Sequence, residues 1–271
     1  MFNAFKVDAN GLPLLDSFQD DLLLEDYGIL DTEPFTPTDQ LLDPRVDWTL
    51  GRRGIPFLDW GPMSGSDWML DQANMGPFLN KKAMWYKRNE NVISTQSAYW
   101  AQGVNGDNFR VLRLGHIILW RAEVAIEEND LATAVTLINQ IRERASDDLV
   151  MGRVANTTFG AEDVLEIDET QPAANYLLGL YPSFPDQEYA RKALRHEMRI
   201  EFALEGMRFF DLVRWGIAAE TLNTYLTSEL ADDRLPWLQG ATFTDGQDDH
   251  WPIPQVQIDL QSGVLTQDPA Y

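Results

Sequence analysis

One stretch limits what this chain can fold into more than any other: Leu194 to Gly216, LRHEMRIEFALEGMRFFDLVRWG. Glu197, Glu201 and Glu205 recur every four residues, so they share one face of a helix. Arg208, Asp211 and Arg214 follow at three-residue spacing and share another face. Phe202, Phe209, Phe210, Leu212, Val213 and Trp215 supply apolar bulk. Gly206 interrupts the run and is expected to end the first helix, because glycine tolerates the left-handed conformation of a C-terminal cap. The pattern predicts two helices meeting at a corner and tied across it by carboxylate–guanidinium pairs, a role the planar arginine fork suits. A cluster of carboxylates also fits catalysis, but acids with matched arginines favour the structural clamp.

The remaining periodicity extends this helical frame. The segment from Asn108, with Val111, Leu114, Ile118, Ala122 and Ala125 on one stripe, predicts a helix. Asp130 is an N-cap for a second, whose buried face is Ala134, Leu137, Ile138, Ile141 and Ala145. The two form a hairpin over 108–146 that is similar to a tetratricopeptide unit. Asp186 caps the helix that enters the clamp, and the second limb runs on to about 230, giving a helix pair over 187–230. Residues 1–42 read as an acidic wrapping segment with a short helix around Asp20 to Tyr27, 43–107 as an aromatic loop region, and 146–185 as a polar connection. Residues 231–271 read as an irregular tail tied down on the body. The expectation is one mostly α region over 1–271, helix pairs joined by long aromatic-rich loops, with little β structure.

Charge and composition remove several functions. A net charge of −22 opposes binding to a phosphate backbone or an anionic membrane surface, so no nucleic-acid partner is expected. The chain has no cysteine, which excludes disulfides, thiolate metal sites and cysteine nucleophiles. No apolar run is long enough to cross a bilayer, and the N-terminus lacks the apolar core of a signal peptide. His116, His196 and His250 have no ligand-spaced partners, so neither a metal nor another cofactor is expected. The acidic runs at 166–169 and 248–250 lack a defined calcium-loop pattern and read as solvated turns.

Three segments taken together resemble the C-terminal half of the SusD/RagB family. They are the hairpin residues Leu114, Leu119, Ala122, Glu123, Ala134, Leu137, Ile138, Arg142 and Ala145, the clamp from Glu197 to Gly216, and a tail with Pro252, Ile253, Pro254, Leu265, Gln267, Pro269 and Tyr271. Asp43, Pro44 and Arg45 resemble the family's DPR element, and GRRGIPFLDWG from Gly51 resembles a subgroup. The resemblance covers about 43 to 271. It implies a SusD-like, TPR-like helical fold and a cell-surface lipoprotein of Bacteroidota-type outer membranes. Such a protein captures glycans or other nutrients and partners a SusC-like TonB-dependent transporter. Family members are usually about twice as long, and Pro-Ala-Tyr replaces the usual Pro-Gly-Tyr ending. The expectation is a partial chain, with the lipid anchor outside it and a missing N-terminal half as a further partner.

Within that reading the 43–107 region supplies the ligand chemistry. Sugar C–H faces pack on aromatic rings and hydroxyls need polar partners. Trp60, Trp68, Trp85, Tyr86 and Trp100 are the candidates for stacking, and Asp59, Asp67, Asp71, Arg53 and Lys82 for polar contact. The same tryptophans also suit plugging the core beneath a loop. Non-catalytic glycan capture leads. The alternatives are a glycoside hydrolase with two carboxylates flanking a sugar bond and a TPR-like adaptor reading a peptide.

Overall fold

The computed structural model describes residues 1–95, 104–106, 108–156, 158–160, 163–231 and 236–271. Its regular elements are α1 (Val46–Thr49), β1 (Leu50–Gly51), α2 (Gln72–Met75), β2 (Leu79–Asn80), β3 (Ser94–Thr95) and β4 (Val104–Asn105). There follow α3 (Leu114–Glu127), α4 (Leu131–Ser146), β5 (Met151–Val154), β6 (Ile167–Pro172), α5 (Gln187–Glu201), α6 (Arg208–Arg214), α7 (Ala218–Ala231) and α8 (Gln255–Leu260). The fold is mostly helical, and each strand pair is a separate short antiparallel ribbon. The chain divides into two units, Met1–Glu205 and Gly206–Tyr271.

In the first unit α3 and α4 form the expected hairpin, with α5 packed on both. Asn129 takes the left-handed conformation at the turn (φ 61°), and the Asp130 carboxylate accepts from the Thr133 amide at 3.1 Å. The buried face of α4 is the one its period gave, Ala134, Leu137, Ile138, Ile141 and Ala145, with Arg142 added to it. The reading of α3 needs correction. The helix begins at Leu114, six residues later than Asn108, and buries Gly115, His116, Leu119, Ala122, Ala125 and Ile126. Val111 and Leu114 are exposed. The helix starts where Arg113 is seized by carboxylates on the α5 side, and a tertiary tie of that kind is invisible in the local period.

The N-terminal segment wraps as expected, but through aromatics instead of a helix. Residues 20–27 form turns and irregular chain without a helix, and the short helical element is Phe2–Phe5, a 3-10 turn. Phe2, Ala4, Phe5 and Leu42 join Val46, Leu50, Ile200 and Ala203 in one core cluster beside α5. Burying one such side chain stabilises by about 1.5–3 kcal/mol. The His196 ring nitrogen Nε2 lies 2.8 Å from the Ala4 carbonyl and fastens the segment to α5. Residues 146–185, read as a polar connection, instead contain the ribbon β5–β6.

In the second unit, Gly216 adopts φ 65° and separates α6 from α7, so the limb read as one helix is two. The Asn223 side chain brackets the Phe243 backbone, donating to its carbonyl at 2.9 Å and accepting from its amide at 2.8 Å. Gln267 does the same for Ile253, at 2.9 and 3.1 Å. The tail is therefore fixed mainly by polar brackets. It contains α8, where no helix was expected, while Trp251 and Leu260 remain exposed.

Candidate functional site

The three glutamates of the clamp lie along the end of α5 and the turn beyond it. Glu197 and Glu201 are buried. Within the first unit the cations that reach them come from distant segments. Arg45 clasps Asp43 through Nε (2.9 Å) and Nη2 (2.7 Å), and its Nη1 donates to both Glu197 and Glu201. Arg142 donates to Glu197 at 2.9 Å. Glu201 also receives Arg113 (2.6 Å) and Arg144 (2.7 and 2.8 Å). Glu205 receives Arg113 (3.0 Å) and Lys82 (2.7 Å). The one sequence signal that pointed here was the Asp43-Pro44-Arg45 element. In the second unit Asp211 pairs with Arg214 at 2.9 Å.

The helix ends at Glu201, five residues before Gly206, which holds φ 83° within the turn. The electrostatics follow from the crowd of guanidiniums. Burial pushes the Glu201 carboxyl up, but Arg45, Arg144 and Arg113 outweigh it and hold the group at about 2. Burial acts against Asp43 in the same way and Arg45 reverses it, leaving its carboxyl below the usual range. Glu205 is likewise lowered, Arg113 and Lys82 overcoming its partial burial.

Against this network opens a cavity of about 550 Å³, within the roughly 300–1,000 Å³ of ordinary ligand pockets. Its apolar lining includes Trp48, Leu58, Met84 and Tyr86. The Trp48 indole N–H donates to the Asp148 carbonyl at 2.7 Å, which fixes the ring plane, and the Lys81 ammonium lies 5.7 Å from the ring centroid. The Arg88 guanidinium stacks 3.9 Å from the centre of Tyr86. Lys81 donates to the carbonyls of Asp47 and Pro56, and burial brings its ammonium down to about 8. A smaller recess of about 210 Å³, lined by Asn108, Phe109 and Leu204, shares Lys82, Met84, Arg110 and Glu205 with the cavity.

Of the sequence-predicted ligand residues, Tyr86 and Lys82 line this cavity, together with Glu201 and Glu205 of the clamp. Two others are corrected. Arg53 is 1% exposed and spends its guanidinium on the carbonyls of Leu30, Asp31 and Glu33. Trp85 is 6% exposed, with Trp60 packed edge-on against it at 6.3 Å and donating to its carbonyl. Trp68 sits edge-on to Phe57. Asp59 accepts from the amides of Lys87 and Arg88, and Asp67 accepts from the Ser64 hydroxyl. Asp71 is exposed and is not among the cavity-lining residues. Trp100 lies outside the described residues. Trp48 and Arg110 were missed. Trp48 lies in the aromatic loop region, and nothing in an aperiodic stretch marks which rings are half-buried.

No group of three or more His, Asp or Glu among the described residues is placed to hold a metal ion. His116 stacks on Phe202 with ring centres 3.8 Å apart, and burial brings His196 down to about 4. His250 meets Asp268 at 3.3 Å in the second unit.

A family model for SusD proteins matches residues 5–271. The chain belongs to the SusD family. Two solved structures share its fold. A SusD superfamily protein of Bacteroides vulgatus is 21% identical with a TM-score of 0.53, over 87% of this chain and 41% of the other. A SusD-like protein of Bacteroides fragilis is 19% identical with a TM-score of 0.55, over 100% of this chain and 45% of the other. The chain thus spans less than half the length of either structure. No curated protein matches it. Glu197, Glu201, Glu205 and the Asp43–Arg45 element, among the residues that carried the resemblance, meet in one ion network.

Proposed function

We propose that this SusD-family chain belongs to a protein that captures glycans at the bacterial outer-membrane surface and passes them to a SusC-like TonB-dependent transporter. The observation that carries the glycan reading is the cavity in which Trp48 and Tyr86 stand beside fixed cationic donors. An indole pinned by its own N–H offers a preorganised face to sugar C–H groups, while guanidinium and ammonium N–H groups meet hydroxyl oxygens. A lipid-anchored position at the outer-membrane surface is part of the same proposal and rests on the family. No helix among the described residues is long and apolar enough to cross a membrane.

The site suits binding better than hydrolysis. A glycosidase needs a carboxylic acid that still carries its proton near neutral pH. Glu201 is held at about 2 and Glu205 below its ordinary value, so neither is a proton donor at neutral pH. The test is calorimetric titration with a panel of oligosaccharides, comparing the native chain with Trp48→Ala and assaying for products. The expected result is saturable binding that Trp48→Ala removes, with no sugar released. Binding indifferent to Trp48 would reject the cavity, and turnover would reject non-catalytic capture.

A further inference from the structure

The cavity has a charge opposite to that of the chain around it. The sequence holds 43 acidic residues against 21 lysines and arginines. Yet Arg45, Lys81, Lys82, Arg110, Arg113 and Arg144 line the cavity, against the carboxylates of Asp148, Glu201 and Glu205. Six cations face three acids where the average composition would give the reverse. Of the three acids Asp148 is exposed, while the two glutamates are the less available partners. The Glu201 side chain is 2% exposed with both oxygens engaged, and Glu205 is 16% exposed.

The outward donors are cationic. Arg144 gives only its Nη2 to Glu201 and is 58% exposed, so its Nε and Nη1 have no protein acceptor among the described residues. Arg110 is exposed and has no protein partner among the described residues. A concave wall carrying an excess of one sign concentrates counter-ions of the other, and a guanidinium binds a carboxylate or sulfate through two parallel hydrogen bonds. A neutral glycan accepts hydrogen bonds from these groups, but only an anionic one also gains from their net charge.

We infer that the glycan taken by this site is anionic, a polymer bearing carboxylate or sulfate groups, with Arg110 and Arg144 receiving the charge beside the Trp48 platform. The inference rests on the glycan reading above. Its test uses matched pairs: galacturonic-acid oligomers against the same oligomers methyl-esterified, and a sulfated oligosaccharide against its desulfated twin. Each is titrated at low and high salt. The charged member of one pair should bind at least about tenfold more tightly at 50 mM salt, and screening should erase that advantage at 500 mM. The pair that responds identifies carboxylate or sulfate as the recognised group. Arg110→Ala should weaken the charged ligand about tenfold. Arg110 has no partner among the described residues, so its removal leaves the described ion network intact. Equal affinity for charged and neutral twins, with Trp48→Ala abolishing both, would overturn the anionic assignment and leave glycan capture standing. Binding of neither member of either pair would overturn it together with the cavity.

Discussion

Replacing Glu201 by glutamine isolates the charge of the clamp while keeping its shape. The folded protein holds this carboxyl at about 2, against 4.5 for a free glutamate, and the side chain is 2% exposed. That difference of about 2.5 units, at about 1.4 kcal/mol each, corresponds to about 3 kcal/mol of stability from the ionised form. The sign follows from a depressed folded pKa: the contribution is complete above the unfolded value near 4.5 and drains away as pH falls toward 2. Glu201→Gln should therefore lower the free energy of unfolding by about 3 kcal/mol at pH 6 and by almost nothing near pH 2. Urea unfolding followed by tryptophan fluorescence, repeated across that range for both proteins, reads the difference directly. A deficit that stays constant with pH would mean that packing, and not charge, is what Glu201 contributes. No deficit at pH 6 would refute the account of the clamp.

Three further outcomes follow. Glu25 is buried beside Arg52, and burial outweighs that partner to raise its carboxyl to about 7, so its stabilising protonated form is lost as pH rises through 7. Glu25→Gln should raise stability by up to about 3 kcal/mol at pH 8 and leave it unchanged at pH 4, as read by thermal melting at the two values. Gly54 holds φ 80°, and a Cβ there would meet the Phe159 ring at 2.5 Å. Gly54→Ala should lower the melting temperature markedly, whereas Gly28→Ala, at φ 76° with open space around it, should cost only about 1 kcal/mol of backbone strain. Trp85→Ala should destabilise the fold by about 3–5 kcal/mol, in contrast to Trp48→Ala, and unaltered melting would return Trp85 to the ligand surface.

The parts of this fold that were legible in the sequence are those set by near neighbours. The Asp130 and Asp186 caps, the buried face of α4 and the hairpin itself are decided within a few residues and were read correctly. The parts that were not legible are set by distant ones. The α3 start is fixed by Arg113 reaching Glu201 and Glu205, and the partners of the glutamates stand 55 to 156 residues away. In the aromatic region, Arg53 lies beneath carbonyls of the N-terminal wrap and Trp85 beneath Trp60, and no residue period distinguishes such a plug from an exposed platform. Tyr86 and Lys82 were singled out on residue chemistry, and the cavity brings these two together with Trp48.

The long reach of Arg45 has a consequence in time. Its contacts to Glu197 and Glu201 close loops of 152 and 156 residues, and the entropy of such closures must be overcome before the contacts return any energy. The hairpin of α3 and α4 needs no such closure. The arginine therefore enters after the helices have met and acts as a latch on an assembled body, so that its loss speeds the opening of the folded chain while hardly slowing its formation. If the chain works at the outer-membrane surface, as proposed above, its endurance depends on that opening rate more than on the equilibrium.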